Sequence, residues 1–185
     1  VNAFITFIPE KFSIIIFINS DIDLLDLVPF LRMLAPICIV INPDIGIIAG
    51  ARILQAEVID GFSKGIINFH PGLIPETRGL DAMLWSIRND ISLGVTSHLI
   101  DERVDAGKIL ERRTIDLHED DTIFDLSEKL YETQLEMLPS AIDRAQKSMT
   151  EDVDFESGAY NRKMSGDMER ETIAMLPQYL ERKLS

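Results

Sequence analysis

Two stretches decide the fold: INFHPGLIPETRGL, residues 67–80, and GVTSHLIDERVDAGKI, residues 94–109. The first begins as a short apolar run that ends in polar residues, which is typical of a buried parallel strand at its carboxyl end. Asn68 and His70 are two residues apart, so in an extended strand they share one face while Phe69 points into the core. A Pro-Gly pair then ends the strand.

The second stretch predicts a strand over residues 94–100, a polar turn, and a loop that carries Asp105 before another strand near Ile109. An amide, an imidazole and a carboxylate at two strand ends suit acyl chemistry. An attacking amine must lose a proton, and the developing oxyanion needs a hydrogen-bond donor. On these residues alone a purely structural role for the pair stays open, because an Asn-x-His pair is common by chance and a lone histidine is often structural.

The remaining pattern predicts helices between strands. Apolar spacing indicates a helix over residues 80–87 and a short helix over 55–62, and a long amphipathic helix is expected to begin at Asp121 or Thr122, followed by Asp125. The alternation predicts an α/β fold, a three-layer Rossmann-like domain with a mainly parallel central sheet and the site at its strand ends.

Composition limits the functional classes. The 185 residues suffice for one domain with a sizeable core, and 46% of them are hydrophobic. The single cysteine, Cys38, lies in an apolar run, which favours a core thiol and a reducing, cytoplasmic compartment. No apolar run is long enough to cross a membrane, and the opening residues lack a signal-peptide pattern. Three scattered histidines and one cysteine give no metal-ligand spacing, so no metal is expected.

Charge is distributed unevenly. The net charge of -13 argues against a broad nucleic-acid surface. Between Arg52 and Arg113, however, eight Lys or Arg residues stand against nine Asp or Glu residues, so most of the excess acid lies elsewhere. A nearly neutral central region would admit an anionic ligand. Solvated acidic faces at the two ends of the chain explain the same count.

Four short motifs occur in order in this central region. They are GARIL (50–54), NFHPGLIP (68–75), GVTSHLID (94–101) and DAGKI (105–109). Together they resemble the folate-dependent formyltransferases, which move a formyl group from 10-formyltetrahydrofolate to an amine. The resemblance implies a formyltransferase-like catalytic domain over residues 1–149, with residues 1–45 divergent or truncated, and a C-terminal helical tail over residues 150–185. The glycine-rich opening turn of that family is absent, since the first glycine is Gly46.

The resemblance also implies roles for individual residues. The positions matching the family's catalytic trio are Asn68, His70 and Asp105. The positions matching the folate pocket are Arg52, Ile53 and Leu54, with Ile59 behind them, and His98. The positions matching the loop over the pterin are Asp101, Glu102, Arg103 and Val104. Arg78 matches a position suited to binding an anionic group of the substrate. It is equally well explained as a solvent-exposed charge in a loop.

The implied reaction is formyl transfer to a primary amine of a small molecule, with 10-formyltetrahydrofolate as co-substrate and no metal. A nucleotide-linked amino sugar is the favoured acceptor, glycinamide ribonucleotide is second, and methionyl-tRNA is third because the chain is acidic and short. No nucleic-acid or membrane partner is favoured, and a homo-oligomer stays open. Two alternatives remain: a hydrolase that passes the formyl group to water, and a non-catalytic folate-binding relative.

Overall fold

The protein is described from a computed structural model, and the residues described are 5–7, 13–17, 44–49, 56–101, 107–152 and 160–185. The strands are β1 (Ile5–Phe7), β2 (Ser13–Phe17), β3 (Ile45–Ala49), β4 (Ile66–His70), β5 (Arg78–Gly79), β6 (Gly94–Leu99), β7 (Ile109–Thr114) and β8 (Tyr160–Asn161). The helices are α1 (Ala56–Ile59), α2 (Ala82–Arg88), α3 (Ile123–Gln146), α4 (Gly166–Ala174) and α5 (Leu176–Leu184).

Six of these strands form one sheet in the order β1-β2-β3-β4-β6-β7. The predicted α/β class is confirmed, but the prediction of a mainly parallel sheet is wrong for the described strands. β2-β3 and β3-β4 are parallel, whereas β1-β2, β4-β6 and β6-β7 are antiparallel. Residues 71–93 join the end of β4 to the start of β6 at the same edge of the sheet, so β6 runs beside β4 in the opposite direction.

The hydrophobic core lies against one face of this sheet. Ile47, Ile67 and Phe69 alternate along β3 and β4, and each is at most 5% exposed. The long helix α3 covers them with a stripe of small and apolar residues that includes Leu130 and Met137. Phe62 lies on the other face, where it contacts the position that a side chain at Gly46 would occupy. Helix α3 therefore covers one face of the sheet, and the turn after α1 lies against part of the other.

The start of α3 agrees with the prediction, and the start of α2 differs from it. Thr122 is the N-cap of α3: its hydroxyl accepts from the backbone N–H of Asp125, whose carboxylate accepts from the Thr122 N–H in return. The predicted start at Asp121 or Thr122 is therefore confirmed. Helix α2 begins at Ala82, two residues later than predicted, because Asp81 has a left-handed backbone with φ of 52°. Leu80 consequently lies outside the helix and is 53% exposed.

The C-terminal helices are tied to the main core. Leu176, Tyr179 and Leu180 of α5 are buried in the same cluster as Phe69. The Tyr179 hydroxyl donates to the carbonyl oxygen of Ile91 at 2.8 Å. The predicted domain boundary near residue 150 stays a prediction. Across the described ranges, no helix combines the length and apolarity needed to cross a membrane.

Candidate active site

Four polar side chains share one face of the β4-β6 ladder. Asn68 stands opposite His98, and His70 stands opposite Thr96. Directly opposed residues of an antiparallel pair project from the same face, with Cβ atoms about 5 Å apart. This face is opposite to the one that carries Phe69 into the core. We call the set Asn68, His70, Thr96 and His98 the polar quartet.

His98 joins Asn68 to the backbone. Its Nδ1 lies 3.2 Å from the carbonyl oxygen of Leu99, and its Nε2 lies 3.1 Å from Nδ2 of Asn68. Because a carbonyl oxygen can only accept, Nδ1 carries the proton of the neutral ring, and Nε2 accepts from the Asn68 amide. The ring is only 1% exposed, whereas Asn68 is half-buried. The amide nitrogen of Asn68 is thus oriented from within the protein.

His70 is held by the loop that follows it. Its Nε2 donates to the carbonyl oxygen of Thr77 at 2.7 Å, and the residue is 5% exposed. Gly72 makes this turn possible, since a Cβ there would stand 2.9 Å from His70 Nε2 and 2.6 Å from Thr77 Oγ1. Any side chain at this position would displace the imidazole or the loop.

Thr96 fastens the same loop to the sheet. Its hydroxyl donates to the Gly72 carbonyl oxygen at 2.7 Å and accepts from the Ile74 N–H at 3.0 Å. Arg112, the partner of Thr96 on β7, donates to the Ile74 carbonyl oxygen at 3.2 Å and pairs with Glu151. Thr96 and Arg112 therefore fix the loop after His70 through three hydrogen bonds to its backbone.

The other predicted site residues fall in two groups. Arg78 is half-buried on β5, which pairs with β8 directly after the Thr77 carbonyl that binds His70. Ile59 ends α1, and Asp101 lies two residues beyond β6; both are half-buried. Seven predicted residues lie outside the described ranges: Arg52, Ile53, Leu54, Glu102, Arg103, Val104 and Asp105. The meeting of Asp105 with His70 therefore stays a prediction.

Thr96 and Gly72 were not singled out from the sequence. A signal for Thr96 existed, because it stands two residues before His98 in a predicted strand and so shares its face. The role of Gly72 depends on a close approach between His70 and Thr77 that spacing alone does not specify.

The arrangement can stabilise negative charge on a small oxygen. An amide N–H and an imidazole stand side by side on a preorganised, largely buried surface, where hydrogen bonds to a developing oxyanion are strong. Ile48, paired with Asn68 in the parallel ladder, is 2% exposed and adds an apolar neighbour. Within the described ranges no cluster of three His, Cys, Asp or Glu side chains is placed to hold a metal ion.

Comparison with known proteins shows which family the sequence matches. Residues 37–142, more than half of the chain, match the Formyl transferase family. The chain is 34% identical over 111 residues to a methionyl-tRNA formyltransferase of Thermodesulfovibrio yellowstonii, covering 59% of this chain and 36% of that protein. It is 29% identical over 92 residues to a phosphoribosylglycinamide formyltransferase of Bacillus subtilis, covering 49% of this chain and 47% of that protein.

Solved structures show the same fold. The formyltransferase PseJ from Anoxybacillus kamchatkensis, in complex with UDP-4,6-dideoxy-4-formamido-L-AltNAc and tetrahydrofolate, superposes with a TM-score of 0.57 at 28% identity. The match covers 65% of each chain. The predicted formyltransferase-like fold is confirmed, and the chain spans between about a third and a half of the two sequence relatives. By its matched motifs and its fold, this chain belongs to the formyl transferase family.

Proposed function

We propose that this chain transfers a formyl group from 10-formyltetrahydrofolate to a primary amine of a small molecule, with a nucleotide-linked amino sugar as the favoured acceptor. The observation that carries the proposal is the polar quartet, in which the Asn68 amide is held by His98 beside His70. The co-crystallised tetrahydrofolate and formamido sugar of PseJ support the choice of co-substrate and acceptor.

The donor set fits a formyl oxygen. Nδ2 of Asn68 has two N–H bonds, and one of them is used by His98 at 3.1 Å. The second can donate to an oxygen that gains charge as an amine attacks the formyl carbon. His70 donates through Nε2 to the Thr77 carbonyl oxygen, and its imidazole is the second group proposed to lie beside the formyl oxygen.

The proposed reaction exchanges one bond of the formyl carbon for another. 10-Formyltetrahydrofolate supplies the formyl carbon, whose bond to N10 breaks as its bond to the substrate nitrogen forms. Asn68 and His70 stabilise the oxygen of that carbon during the exchange. Asp105 orients His70 or a bound water, so that one proton passes from the attacking amine to N10. Arg78 binds an anionic group of the acceptor.

A transfer assay on an amine panel tests this proposal. The full 185-residue chain is incubated with 10-formyltetrahydrofolate and, in separate reactions, a nucleotide-linked amino sugar, glycinamide ribonucleotide or methionyl-tRNA, and released tetrahydrofolate is measured. We expect release that depends on the amino sugar. The methionyl-tRNA arm is included because a methionyl-tRNA formyltransferase is among the most similar relatives.

The controls separate the alternatives. Release without any amine would indicate a hydrolase. Folate binding in isothermal titration without release in any arm would favour the non-catalytic alternative and contradict the proposal. Asn68→Ala serves as the matched variant, since the loss of one oxyanion donor costs about 3 to 4 kcal/mol of transition-state stabilisation and should leave only traces of transfer.

A further inference from the structure

We infer that His98 is a positioning residue that fixes the orientation of the Asn68 amide, and that it acts on the reaction through Asn68 rather than by binding folate. The inference deepens the proposed function and rests on it for its kinetic readouts. It starts from the 3.1 Å contact between His98 Nε2 and Asn68 Nδ2 across the β4-β6 ladder.

Both ring nitrogens of His98 have partners inside the protein. Nδ1 faces the carbonyl oxygen of Leu99 at 3.2 Å, and Nε2 faces the amide of Asn68. The ring is 1% exposed, so it presents almost no surface to a ligand. A residue that binds folate directly would need a polar edge turned towards the ligand. The placement of His98 suits a supporting role better.

The protonation pattern selects one of two amide orientations. An asparagine side chain presents nitrogen on one side and oxygen on the other, and a half-turn exchanges them. Nε2 of the neutral ring is an acceptor, so it attracts Nδ2 of Asn68 and repels Oδ1. The favoured orientation keeps a second N–H for an incoming oxyanion. A reversed amide would present an acceptor to negative charge instead.

Two substitutions separate this role from a merely structural one. A glutamine at residue 98 carries its amide near the place of Nε2, so its oxygen can still accept from Asn68. An asparagine is shorter: its amide matches the place of Nδ1 and cannot reach Asn68. His98→Gln and His98→Asn are therefore a matched pair that differ in the contact at issue.

We expect the loss of this contact to lower kcat and to leave KM for the folate nearly unchanged. We expect His98→Asn to lower kcat about 10- to 100-fold, the size of effect that mispositioning of a reacting group produces, while KM for the folate changes less than about threefold. His98→Gln should keep kcat within about threefold of the wild type. In an Asn68→Ala background, His98→Asn should cause less than about twofold further loss, because both changes remove one interaction.

A second readout is independent of turnover. The side-chain NH2 signals of Asn68 in ¹H–¹⁵N NMR spectra of the full chain should show slow exchange with water in the wild type and in His98→Gln, and fast exchange in His98→Asn. If the wild type shows this pattern but transfers no formyl group, the proposed function fails and the positioning role stands. The role itself is overturned if the Asn68 signals do not respond, or if His98→Asn raises the folate KM with kcat unchanged.

Discussion

The two faces of the β4-β6 ladder differ sharply although the same strands supply both. On one face, Ile67, Phe69 and Val95 are packed into the core with exposures of 0 to 5%. On the other, the polar quartet is joined to itself and to nearby backbone by hydrogen bonds of 2.7 to 3.2 Å. Alternation along a strand therefore separates the residues that stabilise the fold from those proposed to perform the chemistry. We expect substitutions on the apolar face to leave the hydrogen bonds of the polar face in place.

The largest expected stability effect on the polar face comes from Thr96→Val. Valine has nearly the shape of threonine but lacks the hydroxyl that binds the Gly72 carbonyl and the Ile74 N–H. Leaving such buried groups without a partner costs about 1 to 3 kcal/mol of unfolding free energy. We also expect a lower kcat, because the loop that holds His70 loses two of its hydrogen bonds to the sheet. Denaturant unfolding and a transfer assay measure the two effects.

Thr96→Ser is the control for this prediction, since it keeps the hydroxyl and removes one methyl group. The serine variant should lie closer to the wild type in both assays. Equal stability of the serine and valine variants would show that the hydroxyl does not hold the loop.

A smaller effect is expected from Ile67→Val on the apolar face. Ile67 is fully buried and directly precedes Asn68. Removing one buried methylene should lower the unfolding free energy by about 0.5 to 1.5 kcal/mol. The turnover of the folded enzyme should stay within about threefold of the wild type, because the side chain points away from the quartet. A large loss of turnover at unchanged stability would argue against the separation of the two faces.

The last expected effect appears only at high pH and concerns the core side. Burial raises the pKa of Tyr179 to about 12 from its usual value of 10.0, and the nearby Asp90 carboxylate acts in the same direction. A raised pKa means that the protonated phenol is favoured in the folded state. This stabilisation is fully present below pH 10 and is lost as the pH rises through about 12.

Tyr179→Phe removes the titrating group and the hydrogen bond to Ile91. The difference in unfolding free energy between wild type and variant should be constant near neutral pH and shrink between pH 10 and 12. Denaturant titrations at several pH values measure it. A difference independent of pH would contradict the assignment, and transfer at neutral pH should be unaffected.

The local pattern of residues predicted much of this arrangement. Alternation in residues 66–70 placed Asn68 and His70 on one face, and the Thr-x-x-Asp pattern located the start of α3. These features depend on neighbours a few residues apart, and the backbone period is the same in any fold that uses them.

Features that depend on distant contacts were not predictable in the same way. Periodicity indicates a strand but not its direction, so the antiparallel return of β6 was missed. The pairing of Arg78 with Tyr160 and the contact of Tyr179 with Ile91 join residues more than eighty positions apart. The left-handed backbone of Asp81, which delays α2, is a conformation that sequence spacing does not reveal.

The polar face is proposed to carry the formyl transfer, whereas the apolar face contributes to stability and takes no part in the chemistry. Single-turnover transfer rates of the wild type, Asn68→Ala and Ile67→Val, each corrected for the folded fraction, test it most directly. We predict that Asn68→Ala loses about 10²- to 10³-fold in rate and that Ile67→Val stays within about threefold of the wild type. An Asn68→Ala variant that transfers formyl groups at the wild-type rate would contradict the proposed role of the polar face.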